Sequence, residues 1–152
     1  MILEFSDWLF LVNVESNKTY STEEAESHCT CTWCRNFYRT VNHAYPDLRY
    51  FLSRFGLDIE APESLQPITP ELYQASYIAE GKILRQGSEP IYINELPITV
   101  EPCDEPEYFE LQVGLMKLPW VMKEDPATLP TPAGLPDLFS DFKNRQQKIA
   151  QQ

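Results

Sequence analysis

Glycine is scarce in this chain of 152 residues: there are five, at positions 56, 81, 87, 114 and 134. A phosphate-cradling loop needs several glycines close together so that backbone amides can approach the anion, and these are too dispersed to build one. The spacing argues against nucleotide binding of that kind. Histidine is scarcer still, with two residues, which leaves few candidates for a general base near neutral pH. No Gly-x-Ser-x-Gly elbow, His-Glu-x-x-His pair or calcium-loop pattern is present. Basic residues are outnumbered 12 to 23, for a formal charge of -11. That balance repels nucleic-acid backbones and anionic membrane surfaces, so neither is expected as a partner. A cationic protein partner remains compatible with it, as for an acidic inhibitor, although acidity also simply favours solubility. No apolar run approaches the ~20 residues that span a bilayer. The opening stretch is broken by Glu4, Ser6 and Asp7 and lacks the basic residues of a signal peptide. The chain is therefore expected to be soluble and cytoplasmic, with its four cysteines reduced or metal-bound.

What is present suffices for one domain. A 43% hydrophobic content lies well above that of chains too polar to offset the entropy of ordering themselves. The pattern predicts residues 1–125 as a single α+β domain, residues 126–136 as a Pro-rich linker and residues 137–152 as a short amphipathic helix. That last helix would either pack on its own domain or bind a partner.

Along the chain, two apolar arms at residues 2–5 and 8–14 flank Ser6 and Asp7 and predict a hairpin. Residues 15–27 carry no regular apolar stripe and are expected to be a loop, with at most one helical turn around residues 23–26. Trp33, Phe37 and Val41 recur every four residues and predict a helix over 32–43, capped by Thr32 or Thr30. Pro46 suits the first turn of a second helix, in which Leu48, Phe51, Leu52 and Phe55 share a face and Gly56 ends the run. Residues 60–70 contain three prolines and read as an extended connection. Tyr73, Ala75, Tyr77 and Ala79 alternate in a strand over 73–84, Gly87 and Ser88 turn into a second strand at 90–100, and Phe109, Leu111, Val113 and Leu115 alternate in a third over 108–118. The expected architecture is an antiparallel β-sheet, formed by the N-terminal hairpin and a C-terminal meander and covered by a two-helix hairpin that starts at a cysteine cluster.

That cluster, His28-Cys29-Thr30-Cys31-Thr32-Trp33-Cys34, is the one concentration of chemistry. Zinc takes four soft or borderline ligands in a tetrahedron, and a Cys-x-x-Cys turn at a helix start points two sulfurs at one place while backbone amides help hold thiolate charge. Cys29, Cys31 and Cys34 would supply three ligands. Cys103, in the loop after the second strand, is the favoured fourth, with His28 or a water as alternatives. His43 lies about 13 Å further along the helix at ~1.5 Å per residue, too far to join. Arg35 and Asn36 directly follow the last cysteine and would either line the site, or pair with an acid and bond the neighbouring loop. The same cysteines suit a thiol oxidoreductase, in which Cys31 has a lowered pKa and Cys34 resolves a mixed disulfide. The polar, acidic segment before them is unlike the buried strand such a site expects. Asp104 with Glu107 reads as a solvated loop, and Trp120 as core or edge packing.

Cys29-x-Cys31-x-x-Cys34 followed by Arg35-Asn36-Phe37, then Leu52-Ser53-Arg54-Phe55-Gly56-Leu57-Asp58-Ile59 and Pro62, resembles an uncharacterised bacterial protein family. The resemblance extends to Gly81-Lys82-Ile83-Leu84 and Leu118-Pro119-Trp120-Val121, covering most of residues 1–123. It implies a short, acidic, cytoplasmic protein and carries no activity with it. The sequence leads to a noncatalytic interaction or regulatory domain stabilised by structural zinc, with the thiol oxidoreductase and the acidic inhibitor as alternatives.

Overall fold

The computed structural model describes residues 1–130, and the final helix expected at 137–152 lies outside them, as does the linker beyond residue 130. The fold is α+β, with helices beside an open antiparallel sheet. The sheet runs in the order β1 (residues 2–5), β2 (8–12), β4 (72–85), β7 (108–117), β6 (96–102), β5 (91–93), with β3 (64–69) also paired to β4.

β1 (Ile2–Phe5) and β2 (Trp8–Val12) form the expected hairpin, turning at Ser6 and Asp7. Ser6 adopts a φ of 55° there. The carboxylate of Asp7 accepts from the Ser88 backbone N–H at 2.9 Å and its hydroxyl at 2.8 Å, tying the turn to the loop after β4.

The segment expected as a loop is instead helix α1 (Val14–Ser27). Its missing apolar stripe has a physical cause: the side chains it buries, Asn17 and Ser21, are polar and matched to partners. Asn13 begins it by accepting the Ser16 backbone N–H at 3.2 Å. Ser21 accepts the Asp58 N–H at 3.2 Å.

α2 (Thr32–Ala44) and α3 (Pro46–Arg54) follow the predicted spacing within a residue or so. The cap of α2 differs: neither Thr32 nor Thr30 but Cys31 holds the N-cap position. Gly56 ends the α3 region at a φ of +85°, where a Cβ would meet the Val14 carbonyl oxygen at 2.3 Å, so glycine is required on two counts. Phe37, Val41, Leu48, Phe51, Leu52 and Phe55 from these helices join Phe10, Tyr73, Tyr77 and Phe109 from the sheet in one core. The Phe10 ring lies 5.4 Å from that of Phe55 and 5.1 Å from that of Phe109.

Residues 60–70 are not merely extended. They contain β3 (Ser64–Thr69), which pairs with the first half of β4 despite Pro67, a placement open to proline on an edge strand with a register irregularity. β4 (Leu72–Arg85) is the long central strand, and Tyr73, Ala75, Tyr77 and Ala79 are all buried on one face. The second expected strand is two: β5 (Ile91–Ile93) and β6 (Leu96–Pro102), reversed at Asn94, whose φ is 58°. β5, β6 and β7 (Tyr108–Lys117) form an antiparallel meander, and β7 returns to lie between β6 and β4. In β7 the alternation holds through Val113 and then slips. A register shift opposite Tyr73 and Ala75 turns Met116 inward and leaves Leu115 exposed. Gly114 at that slip leaves room for Pro97, whose ring would lie 2.9 Å from an added Cβ.

β4 has two neighbours along one edge, β3 at its start and β2 at its end. Between them α1 supplies the missing partners. The Asn17 carboxamide oxygen accepts the Glu80 N–H at 2.7 Å, and the Asn13 N–H donates to the Glu80 carbonyl at 3.1 Å. After β7 the chain crosses α2 and makes a short 3-10 turn, Pro126–Thr128, inside the stretch expected as linker. Among the described residues no helix is long and apolar enough to cross a membrane.

Candidate metal centre

α1 ends at Ser27, and the backbone runs extended from His28 to Cys31 before α2 begins. This short connection brings Cys29 and Cys31 close to Cys34, the third residue of α2. The three Sγ atoms lie within 4.8 Å of one another. Around a zinc ion, Zn–S bonds of about 2.3 Å in a tetrahedron put sulfurs about 3.8 Å apart, so a contraction of an ångström or less closes the site.

Backbone amides already point at two of the sulfurs. The Cys31 N–H donates to Cys29 Sγ at 3.4 Å, and the Cys34 N–H donates to Cys31 Sγ at 3.5 Å. The first of these lowers the pKa of Cys29, outweighing its slight burial. Cys34 behaves oppositely: burial, reinforced by the neighbouring Cys31 and Cys29, pushes its thiol well up. Cys29 and Cys31 are exposed while Cys34 is buried, so the cluster has one anchored sulfur and two facing solvent.

The phenol beside the cluster is shifted as well. Burial raises the phenol of Tyr38, and the nearby Cys34, Cys29 and Cys31 raise it further. His28 stacks on that ring with centroids 4.1 Å apart and planes 11° from parallel, and its Nδ1 is buried without a hydrogen-bond partner.

The expected fourth ligand does not join. Among the described residues the mutually close set is Cys29, Cys31 and Cys34, and Cys103 is not in it. Cys103 lies at the turn between β6 and β7, in a cleft against α1 beside Tyr20 and Glu80. The loop in which it was expected is correct, but β7 separates β6 from β4, so that loop opens toward the middle of α1 and not toward the start of α2. Burial, with Glu110 and Asp104 nearby, raises its thiol pKa. Neither nitrogen of His28 belongs to the close set either.

Arg35 and Asn36 take the structural roles. Arg35 donates to the Thr32 hydroxyl at 3.3 Å and faces Glu124 at 3.8 Å. Asn36 is fully buried on the side of α2 that meets the sheet. Its Nδ2 donates to the Tyr73 hydroxyl oxygen and to the Pro119 carbonyl, both at 3.1 Å, and its Oδ1 accepts the Val121 N–H at 2.9 Å. Trp33, between the second and third cysteines, is also buried. Its indole donates to the Pro130 carbonyl at 3.0 Å, and its ring lies 5.3 Å from that of Trp120. The segment after β7 is thus fastened to the same two turns of α2 that carry Cys31 and Cys34. Nothing in the sequence spacing pointed to that strap except the tryptophans at 33 and 120, whose size demanded a packing partner.

No family model matches this chain, and no curated protein or solved structure matches it.

Proposed function

We propose that this protein is a noncatalytic interaction or regulatory domain in which Cys29, Cys31 and Cys34 hold a zinc ion that pins the start of α2. The observation that carries the reading is the gathering of three sulfurs within 4.8 Å, two of them already receiving backbone N–H groups. Such amides stabilise thiolates, the form that binds metal. Three thiolates leave one tetrahedral position. His28, adjacent to Cys29 and with a buried, unpartnered Nδ1, is the residue we assign to it, which requires its ring to move toward the sulfurs. The ion then acts through α2, fastening the helical hairpin against the sheet. Metal analysis of protein purified without chelators tests this: one equivalent of zinc is expected, and less than about half an equivalent, with the thiols shown to be reduced, overturns it.

A second reading rests on the asymmetry of the thiols. An exposed Cys29 with a lowered pKa beside a buried Cys34 with a raised one matches the attacking and resolving partners of thiol–disulfide exchange. Cys29 replaces Cys31 as attacking group in this version. Its test is the pH dependence of Cys29 alkylation in metal-free protein: a midpoint below the free-thiol value of ~8.5 supports it, and one at or above that value removes it.

A further inference from the structure

The three sulfurs at the start of α2 differ in access and in how the backbone joins them. Cys29 and Cys31 are exposed, whereas Cys34 is buried. Cys31 is the N-cap of α2 and Cys34 its third residue, and the turn between them is closed by the Arg35 N–H donating to the Cys31 carbonyl at 2.9 Å. One helical turn places Cα atoms three residues apart at about 5 Å, inside the ~4.4–6.8 Å that a disulfide spans. The Cys34 N–H donates to Cys31 Sγ at 3.5 Å, so the N-cap side chain already leans over the turn toward its partner. Cys29 precedes the helix and shares no turn with Cys34. In extended backbone, residues two apart lie roughly 6.6 Å from each other, at the far end of the disulfide range, so Cys29 is also the poorer partner for Cys31.

The turn that Cys31 and Cys34 bracket also holds the segment after β7. A link between them encloses Thr32 and Trp33 in its ring. The Trp33 indole donates to the Pro130 carbonyl at 3.0 Å, and its ring lies 5.3 Å from that of Trp120. A change in the Cys31 and Cys34 side chains is therefore felt at Trp33, and through it at the far end of the strap.

We infer, building on the zinc reading, that this site is a switch sensitive to hydroperoxides: oxidation links Cys31 to Cys34, releases the zinc and loosens the strap at Trp33. With zinc bound all three sulfurs are thiolates, so access and backbone geometry select the reacting pair. Of the two exposed sulfurs, Cys31 is the one with a resolving partner on its own turn. Its thiolate attacks the peroxide O–O bond, giving a sulfenic acid on Cys31 and an alkoxide, or hydroxide from hydrogen peroxide. The Cys34 thiolate then attacks the Cys31 sulfur, forming the S–S bond and expelling hydroxide. The two electrons that the sulfurs lose reduce the peroxide, and zinc, which has no redox chemistry, keeps its charge. Cys29, with at most His28 beside it, has too few ligands to retain the ion.

The test uses the full chain carrying zinc, exposed to hydrogen peroxide, with released zinc, remaining thiols and the Trp33 indole resonance followed together. One zinc is expected to leave for every two thiols lost, and peptide mapping should find Cys31 linked to Cys34. The Trp33 indole N–H should exchange at least tenfold faster, while that of Trp8, bonded to the Glu89 carbonyl at 2.6 Å, is unchanged. A dithiol reductant with added zinc restores the starting state, and Cys103→Ser responds as the parent does. Cys29→Ser, which keeps both residues of the turn, forms the same link even where it fails to hold metal, so the pairing is read separately from zinc. Protein purified without zinc removes the switch together with the zinc reading. Zinc present but retained through thiol loss, a link to Cys29 or Cys103 in place of Cys31 to Cys34, or an unmoved Trp33 indole overturns the switch alone.

Discussion

The carboxamide of Asn36 and the phenol of Tyr73 are hydrogen-bonded at 3.1 Å, and that phenol donates in turn to the Trp33 carbonyl at 3.1 Å. A buried polar chain therefore joins the central strand to the first turns of α2, and the remaining bonds of Asn36 reach Pro119 and Val121. Every member has a partner, which is the condition under which a buried polar network stabilises a fold. Asn36→Ala leaves the Val121 N–H without an acceptor and the Pro119 carbonyl without a donor, so it is expected to cost about 2–4 kcal/mol. Urea denaturation measures this directly, and a loss under about 0.5 kcal/mol would show that the network is dispensable.

Asn17 holds a comparable position at the edge of β4, in the gap between β3 and β2. It is buried, and its side chain bonds Glu80 in β4 and the Phe55 carbonyl at 2.9 Å. Asn17→Leu, close in size but unable to hydrogen-bond, is expected to destabilise by about 2–3 kcal/mol and to raise hydrogen exchange at Glu80 selectively. Uniform exchange across β4 would count against this account of the strand edge.

Removal of metal should loosen α2 before the sheet. A tight chelator is expected to lower the melting temperature and to expose amides in the first turns of α2, whereas β4 and β7 keep their protection. Cys34→Ser, which loses the buried sulfur, should abolish zinc retention while leaving the sheet's circular dichroism intact. Retention of a full equivalent by that variant would refute the three-sulfur site.

Cobalt substitution addresses the fourth position. With His28 bound, the visible spectrum of the Co(II) form should be that of three sulfurs and one nitrogen, and His28→Gln should shift it and weaken affinity by 10-fold or more. An unchanged spectrum assigns the position to water.

Acid sensitivity follows from Asp7. The Ser88 N–H, and then its hydroxyl, hold this carboxylate below its usual 3.8. A carboxyl depressed in the folded state adds stability that is fully present above pH 3.8 and is lost as pH falls through the lower folded value. Asp7→Asn should therefore be less stable than the parent at pH 7, with the gap narrowing near pH 3. A gap that is independent of pH would assign the effect to the turn's backbone.

How much of this was legible depended on what each element buries. α2 and α3 bury aromatic and aliphatic side chains at helical spacing, so periodicity revealed them. α1 buries Asn17 and Ser21, whose energetic contribution comes through hydrogen bonds to residues distant in sequence, and no local pattern encodes such partners. β3 was hidden by Pro67, acceptable because that strand lies outside the main path of the sheet. In β7, strict alternation predicted Leu115 inward, and the slip near Gly114 reversed it. Within the candidate site, the three clustered cysteines are neighbours by chain geometry alone, which a sequence shows well. Cys103 needed the strand order to be known. Placing β6 beside β4 would have left its loop free to reach the cluster, and the insertion of β7 directs it elsewhere.

The strap from Leu118 to Pro130 has a mechanical meaning. It is anchored through Trp33, Arg35 and Asn36, interleaved with the helix positions that carry Cys31 and Cys34. Tension applied downstream of residue 130 would be borne first by the opening turns of α2 and would reach the sulfurs before the sheet felt any load.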